Sequence, residues 1–247
     1  MILCIDIGNT SIKMACVRNR RLYHHVVVPS DAGRIELGAA VKRASNGAAV
    51  AALSSVRPRT TTAVRAMLRR DLGVEPLIVS SRVKLPLKIA TRHPQRVGVD
   101  RICAACGALP GSARNAIIVD AGSAITVDLV MDRRFLGGLI MPGPQMALSA
   151  LHHFTAQLPD LKLSDQWGDA FDDTLAAMNT GALVGAAGAI EAAVELLQSR
   201  ASRRGIPVWL TGGHAARLES RLPSGWKLMP GLTLLGLAAI AADNRPR

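Results

Sequence analysis

Two stretches of the chain resemble each other: "ILCIDIGNTSIKMACV" at residues 2–17 and "AIIVDAGSAITVDLV" at residues 116–130. Each starts as an apolar run of strand length that ends in an aspartate, followed by a small residue, glycine and small or polar side chains. A second strand-like run then follows in both, which predicts a tight return of the chain. Because this repeat has a far longer period than solenoid repeats, we expect two similar lobes, residues 1–114 and 115–247.

The sequence around each repeat alternates predicted strands and helices. A third strand follows each pair, at "RLYHHVVV" (21–28) behind a basic turn at residues 19–20, and at "RRFLGGLIM" (133–141). Strands are also predicted at 47–55, 75–81 and 206–213, and helices at 32–45, 60–72, from Asp100 or Arg101, at 143–155, 174–200, near 215–220 and at 232–242. Such alternation is typical of a layered α/β fold.

Composition excludes several classes of protein. With 247 residues, of which 49% are hydrophobic, the chain can bury a sizeable core. No run reaches the roughly 18 uninterrupted apolar residues of a membrane span. Asp6 interrupts the first apolar segment and no basic region precedes it, which does not fit a secretory signal. We therefore expect a cytoplasmic protein.

The high positive charge does not by itself indicate nucleic-acid binding. The formal charge is +12, but the arginines are dispersed along the chain and aromatic residues make up only 3% of it. A nucleic-acid interface would show a concentrated basic stripe with aromatic side chains for stacking. We expect no nucleic-acid partner and no membrane partner; the basic surface would attract small anions such as nucleotides.

Cys103 and Cys106 form a C-x-x-C in a stretch that reads as an alanine-rich helix. A second pair of ligands at zinc spacing is missing, so we interpret them as buried thiols rather than a metal or redox site.

The two Asp-x-Gly turns are candidates for phosphate binding. A carboxylate at a strand end can hold a cation, while the open turn after it presents backbone N–H groups to phosphate oxygens. Lys13 follows the first turn and could reach a phosphate. A lone turn of this kind is equally well explained as a hairpin, but the duplicate favours two turns that share one nucleotide. Neither a Walker nor a Rossmann glycine motif occurs at a strand-to-helix junction.

"VGVDR" at residues 97–101 lies between the two turns. It offers either a general base, Asp100, beside the cation Arg101, or simply a helix cap, and spacing alone favours the cap.

Several motifs together resemble one family, the type III pantothenate kinases. They are "DIGNTSIK" at 6–13, "SSVRP" at 54–58, "HPQRVGVDR" at 93–101, "DAGSAITVDLV" at 120–130, "GGLIMPG" at 137–143, "LTGG" at 210–213 and "LLGLAAIA" at 234–241. The resemblance covers essentially the whole chain in the same order. It implies the fold of the actin, hexokinase and heat-shock chaperone superfamily, with two ribonuclease-H-like lobes. It also implies transfer of phosphate from ATP to pantothenate, the first step of coenzyme A synthesis.

The resemblance assigns a role to individual residues. Asp100 would be the catalytic proton acceptor, Asp6 would lie near Mg²⁺, and Asp120 would bind a monovalent cation, K⁺ or NH₄⁺. The residues implied to bind ATP are Asp6, Ile7, Gly8, Asn9, Thr10, Ser11, Ile12, Lys13 and Ser123. Those implied to bind pantothenate are Thr91, Gly98, Val99, Asp100, Arg101 and Thr174, the last from the neighbouring subunit of a homodimer.

This chain departs from the family pattern at three of these places. Thr91 stands where an aromatic residue is usual, Ser123 replaces threonine, and Asp173 replaces asparagine before Thr174. The Thr91 departure leaves open a kinase for another small alcohol or a sugar. A non-catalytic regulatory accessory protein on the same fold is the third hypothesis.

Overall fold

The computed structural model describes residues 1–80, 82–164 and 172–244. The chain forms two compact units, one of Met1–Arg114, Val130–Gly137 and Gly231–Arg247, the other of Asn115–Leu129 and Gly138–Pro230. One break between the units follows Arg114, and the C-terminal segment from Gly231 lies in the first unit. The division into domains at 1–114 and 115–247 stays a prediction.

The first unit begins with a mixed sheet and its covering helices. Its elements are β1 (Ile2–Ile7), β2 (Ser11–Arg18), β3 (Arg21–Pro29), α1 (Arg34–Ser45), β4 (Ala51–Ser55), α2 (Pro58–Leu72), β5 (Leu77–Ile78), β6 (Lys88–Ile89) and α3 (Val99–Gly107). The strand order is β3-β2-β1-β4-β5, in which β2 runs antiparallel to β1 and β3, and β4 parallel to β1 and β5.

The second unit repeats this strand order. Its elements are β7 (Ala116–Ala121), β8 (Ala124–Met131), β9 (Arg134–Pro142), α4 (Pro144–Phe154), α5 (Thr174–Arg200), β10 (Val208–Thr211), α6 (Ala215–Glu219) and β11 (Lys227–Leu228); β8 and β9 each extend into the first unit. The order β9-β8-β7-β10-β11 matches that of the first sheet strand for strand, and β6 pairs with Arg134 and Phe135 at the start of β9. The duplication predicted from the sequence therefore extends to topology. The last helix, α7 (Leu232–Asp243), belongs to the first unit.

β1 is buried along its whole length because helices cover both faces of its sheet. Leu3, Ile5 and Ile7 share one face and pack in a single core cluster with side chains of α1 and α2. The alternate positions, including Cys4 and Asp6, point to the opposite face, and α7 contacts β1, β2 and β4. A strand buried on both sides explains why its sequence is an almost continuous apolar run.

Turn residues set several element boundaries. Asn19 and Arg20 have φ of 48° and 59°, which forms the tight β2–β3 turn predicted at this basic pair. Pro58 is the first residue of α2, and Gly73 ends that helix at φ 64°. α2 therefore starts two residues before the predicted position, while β4 and β5 are shorter than predicted.

The backbones of helices α7 and α3 are in direct contact at two glycines, where no side chain lies between the helices. A Cβ at Gly236 would lie 1.7 Å from the carbonyl oxygen of Cys103, and one at Gly107 would lie 2.2 Å from that of Leu232. Only glycine fits at these positions, so the two helices approach more closely than side chains normally allow.

One helix of the described chain, Thr174–Arg200, is long and apolar enough to pass a test for a membrane span. The core helix of a globular protein passes the same test, and ten residues of α5 are buried in this structure.

We predict that Gly236→Ala strongly destabilises the first unit, because the added methyl group meets a backbone carbonyl that has no room to move. Overpacking of this kind costs about 1–3 kcal/mol or more. Gly38→Ala in α1 is the matched control, since a Cβ there meets nothing within 4 Å and should stabilise the helix by about 0.5–1 kcal/mol. Urea unfolding of both variants measures the difference, and equal stabilities would contradict the packing described.

Candidate active site

Asp6 is a buried carboxylate at the end of the most buried strand. Asp6 is only 8% exposed. Ser54, which is fully buried, donates a 2.6 Å hydrogen bond from its Oγ to Asp6 Oδ1. The two residues are direct neighbours in the β1–β4 pairing. A buried carboxylate without such a donor would be costly, so Ser54 makes the position of Asp6 tolerable in the core.

The turn after β1 is held from both neighbouring strands. Gly8 N–H donates to the carbonyl of Ser11 at 3.0 Å, and Ser30, after β3, donates from Oγ to the Gly8 carbonyl at 2.9 Å. Arg57, after β4, donates from Nη1 to the carbonyl of Asn9 at 3.3 Å. Asn9 and Thr10 are exposed and line a cleft of about 750 Å³. The arrangement presents a fixed, open turn beside a carboxylate, which suits phosphate oxygens.

Lys13 lies opposite Asp6 in the β1–β2 pairing and is half-buried. Ile7 and Ile12, which pair next to the turn, are buried apolar residues that fix its base. The side chains exposed at this turn are those of Asn9 and Thr10. The assignment of Ile7 and Ile12 to ATP binding stays a prediction.

Asp100 lies in the first turn of α3, where its carboxylate folds back over Gly98. Asp100 Oδ1 accepts a 2.8 Å hydrogen bond from the N–H of Arg101, and a Cβ at Gly98 would lie 2.5 Å from the same oxygen. Gly98 is the N-cap and no side chain caps the helix, which begins at Val99. The interpretation of Asp100 as N-cap is therefore wrong: its carboxylate sits at the second helical position, stabilised by the positive end of the helix.

Cys103 lies one turn after Asp100 in α3, and its thiol is fully buried. Burial raises the pKa of the Cys103 thiol well above its usual range, and the charges of Cys106, Asp6 and Asp100 raise it further. Burial is the main cause, and the two acids, which are far apart in the sequence, contribute less to the raised pKa of the Cys103 thiol. Burial likewise raises the pKa of Cys106 to about 12. Both thiols are free and buried, as the sequence predicts.

Thr91 and Arg101 both approach β9. The Arg101 guanidinium lies 5.7 Å from the ring centroid of the fully buried Phe135, in cation–π geometry. Thr91 Cγ2 would be 3.4 Å from a Cβ at Gly137. In the described part of the chain, Thr91 Oγ1 is a buried polar atom without a hydrogen-bond partner. A buried hydroxyl without a hydrogen-bond partner is unusual, and a bound ligand or water at this position would supply the missing hydrogen bond.

A small cavity of about 290 Å³, with both polar and apolar side chains in its lining, lies at the start of α3. Val97, Val99 and Ile102 line it from α3 and the loop before it, and Ser55 and Val56 line it from the end of β4. The family resemblance assigns Val99 to pantothenate binding. It assigns no role to the other residues that line this cavity.

The second turn, at Ala121–Ser123, is enclosed by backbone. Gly143 N–H donates to the carbonyl of Ser123 at 3.1 Å, and a Cβ on Gly143 would lie 2.5 Å from that oxygen. Gly212, at φ 103°, would place a Cβ 2.4 Å from Ala121. Only glycine allows so close an approach of the backbone at Gly143.

Asp120 and Ser123 flank this second turn. Asp120 is half-buried at the end of β7, next to Thr211 of β10 in the strand pairing, and Ser123 is exposed at the bend before β8. The two residues therefore occupy in the second unit the positions that Asp6 and Asn9 occupy in the first.

Thr174 is the first residue of α5 and is exposed. Asp173 caps that helix by accepting a 3.0 Å hydrogen bond from the N–H of Ala176. The departure to aspartate thus keeps a capping side chain and leaves the Thr174 hydroxyl on the surface.

The donor set suits hard cations rather than transition metals. Among the described residues, no group of three or more His, Cys, Asp or Glu side chains could hold a metal ion. Mg²⁺ in nucleotide sites typically takes only one or two carboxylates and completes its shell with water and phosphate. Single carboxylates at Asp6 and Asp120, each beside an open turn, fit that chemistry.

Several residues that build this site had no role predicted from the sequence. Ser54, Ser30 and Arg57 hold the first turn through side-chain hydrogen bonds, and Phe135 supports Arg101. The signal for Ser54 was present in the sequence, since a serine in the neighbouring parallel strand is the simplest partner for a buried strand-end acid. Ser30 and Phe135 carry no such local signal.

A sheet of the same order in both units, with an aspartate and a turn at the end of each central strand, is the fold of the actin and hexokinase type. The glucokinase of the ROK family from Streptomyces griseus, in complex with glucose and AMPPNP, has the same fold, with a TM-score of 0.54, 10% identity and coverage of 98% of this chain and 99% of its own. A conserved Baf family protein from Campylobacter jejuni gives a TM-score of 0.62 at 21% identity over 98% of both chains. At these identities the likeness shows the fold alone.

The sequence comparisons identify the family. The model for type III pantothenate kinases matches residues 2–196. A type III pantothenate kinase of Thermus thermophilus is 33% identical over 99% of this chain and 100% of its own. The chain belongs to the type III pantothenate kinase family, as its motifs predict.

We predict that Ser54→Ala destabilises the protein by about 1.5–3 kcal/mol, because it removes a buried hydrogen bond to a carboxylate. Ser45→Ala is the control: Ser45 is also buried, but donates only to the neutral carbonyl of Lys42, so a loss below about 1 kcal/mol is expected. Urea unfolding in wild-type and Asp6→Asn backgrounds forms a double-mutant cycle. Equal effects of Ser54→Ala in both backgrounds would show that the pair is not coupled.

We also predict that stability falls as the pH rises above about 9. The pKa of Cys106 is raised to about 12 in the folded state, whereas an unfolded cysteine titrates near 8.5. Between these values the folded state binds the extra proton, so unfolding becomes easier by up to about 2 kcal/mol at pH 10. Unfolding of wild type and Cys106→Ala at pH 8 and pH 10 isolates this contribution. A variant that loses as much stability as wild type would refute it.

Proposed function

We propose that this protein is an ATP-dependent pantothenate kinase that forms 4′-phosphopantothenate, the first step of coenzyme A synthesis. The observation that carries the proposal is the family match over residues 2–196. The geometry of the first unit supports it: the buried carboxylate of Asp6 lies beside an open turn, and the half-buried Asp100 lies in the first turn of α3. We place the enzyme in the cytoplasm, in keeping with the family.

The two turns would bind the phosphates of ATP. In the first, the exposed backbone and side chains of Asn9 and Thr10 face the open cleft, while Ser30 and Arg57 hold the turn in place before a ligand arrives. Binding groups that are already fixed need no reorganisation at the moment of reaction. Lys13 would add positive charge near the phosphates, and Ser123 would donate its hydroxyl from the second turn.

Asp6 would hold Mg²⁺, and Asp120 would hold a monovalent cation such as K⁺ or NH₄⁺. Such cations, when bound, neutralise charge on the transferring phosphoryl group. The hydrogen bond from Ser54 occupies one oxygen of Asp6 and so fixes the direction of the carboxylate.

Asp100 would accept the proton of the attacking pantothenate hydroxyl. Its Oδ1 accepts the Arg101 N–H, which anchors the carboxylate, and the absence of a side chain at Gly98 leaves space around it. General bases of this kind contribute about 10²–10⁴-fold. Arg101, stacked on Phe135, would hold the pantothenate carboxylate.

The acceptor pocket would be formed by Gly98 and Val99 at the 290 Å³ cavity, with Thr91 contacting the β9 side at Gly137. Thr174 would complete it from the second subunit of a homodimer, which agrees with the exposure of that residue in the single chain. We infer that the basic surface serves these anionic small molecules rather than nucleic acid.

One observation favours a second candidate, a kinase for a different small alcohol. Thr91 replaces the usual aromatic residue, and its hydroxyl is buried without a partner in the described structure. An acceptor with an additional polar group would satisfy it.

We predict that Asp100→Asn lowers kcat for pantothenate by about 10²–10⁴-fold without changing the melting temperature or the affinity for an ATP analogue. Asp160→Asn, at an exposed position in the second unit, is the control and should keep full activity. The assay measures ADP release with ATP, Mg²⁺, K⁺ and pantothenate.

The acceptor is then varied with other small alcohols and sugars. Turnover of one of these but not of pantothenate would replace the first candidate with the second. Full activity of Asp100→Asn would remove Asp100 from the mechanism.

A further inference from the structure

A second cavity in the first unit lies apart from the residues assigned to the reaction. It has a volume of about 480 Å³ and is lined by the start of α1 and by one face of α2. None of the residues proposed above to bind ATP, cations or pantothenate lines it. Its size lies in the range of about 300–1,000 Å³ that is typical of sites for small molecules.

The cavity is strongly basic. Arg34, Arg59 and Arg70 line it, and no acidic side chain is among the described residues of its lining. Arg70 is bound by Asp71 through two hydrogen bonds of 2.5 and 2.6 Å. Arg34 and Arg59 form no ion pair within the described part of the chain. The Asp71 carboxylate, which is bound by Arg70, also interacts with the charge of Arg34, but more weakly and without an ion pair. The guanidinium groups of Arg34 and Arg59 are therefore available to an anion.

A hydroxyl at the cavity is also available. In α2, Thr61 and Thr62 each use their Oγ1 to donate to a backbone carbonyl one turn back, at 3.0 and 3.2 Å. Thr60, the threonine that lines the cavity, makes no such bond in the described structure. It can therefore donate to a ligand in the cavity.

The cavity has an apolar part as well. Leu37 and Met67 are buried beneath it, and the small side chains of Ala63 and Ala66 are exposed on its α2 side. A bare inorganic ion would leave this surface unused. A molecule with a charged phosphate group and an apolar body would match both parts.

Ser30 connects this cavity to the phosphate turn. It lines both the 480 Å³ cavity and the 750 Å³ cleft at the turn. Its Oγ donates to the Gly8 carbonyl, and its N–H donates to the Thr10 carbonyl at 3.0 Å. A ligand that shifts Ser30 would therefore shift two backbone positions of the nucleotide-binding turn.

We propose that the cavity between α1 and α2 is an accessory site for an organic phosphate with an apolar body, and that its occupation alters nucleotide binding through Ser30. Arg34 and Arg59 bind the phosphate, Thr60 donates to it, and Met67 and the two alanines contact the apolar body. This site goes beyond the proposed reaction, since it supplies no group to the chemistry.

The test uses phenyl phosphate as the probe, with inorganic phosphate and phenol as separate arms. Calorimetric titration is performed on the full chain saturated with Mg²⁺ and AMPPNP, so that the nucleotide site is already filled. Arg34→Gln/Arg59→Gln removes the two available charges. Arg203→Gln/Arg204→Gln, at exposed positions in the second unit, removes the same charge elsewhere.

We expect phenyl phosphate to bind about tenfold more tightly than either phosphate or phenol, and about tenfold more weakly to Arg34→Gln/Arg59→Gln. The control pair should bind it as wild type does. Equal binding by both double variants, or no binding of phenyl phosphate to the AMPPNP-saturated protein, would overturn the site.

The second readout is the affinity for AMPPNP with and without phenyl phosphate. A change of about fivefold or more in wild type, absent in Arg34→Gln/Arg59→Gln, supports the connection through Ser30, since coupling between sites is reciprocal. An unchanged affinity overturns that connection. Both readouts are independent of catalysis, so failure to phosphorylate pantothenate would refute the proposed function and leave this inference standing.

Discussion

The burial of one carboxylate constrains the whole first unit. Asp6 lies on β1, in a sheet whose two faces are both covered by helices. Burying a carboxylate there without a hydrogen-bond partner would cost free energy of folding. Its partner has to come from the neighbouring strand at the same level, and the β1–β4 register places Ser54 there. That register in turn fixes where β4 ends and where Arg57 can reach the turn. The position of the turn is therefore a consequence of how the acid is satisfied.

The two units use the same topology but stabilise their turns by different means. In the first, side chains from β3 and β4 hold the turn, through Ser30 and Arg57. In the second, backbone from two other segments approaches the turn directly, at Gly143 and Gly212. In the first unit, a single substitution removes one of these side-chain hydrogen bonds and leaves the other. In the second unit, the backbone contacts leave no space for a Cβ, so no residue other than glycine fits there.

The sequence predicts those features of the fold that are carried by local pattern. Apolar strand runs that end in Asp6 and Asp120 predict the duplicated sheet, and the basic turn at residues 19–20 predicts the β2–β3 hairpin. The short strands at Lys88–Ile89 and Lys227–Leu228 were missed, because two residues carry no periodicity. The predicted helix start at Asp100 or Arg101 is one or two residues after the observed start at Val99, because the N-cap of α3 is Gly98, which has no capping side chain. The supports of the turn depend on register between distant strands, which no local pattern encodes.

The glycine contacts between α3 and α7 also bear on how the chain matures during synthesis. α3 carries Asp100, and its backbone rests on Gly236 of a helix that follows the entire second unit in the sequence. The first unit is therefore discontinuous, and α3 lacks its main helix partner until α7 has left the ribosome. The second unit, whose residues precede α7, can fold earlier. The segment made first is thus among the last to reach its native state, and an incomplete chain would combine a formed second turn with an unfinished first unit.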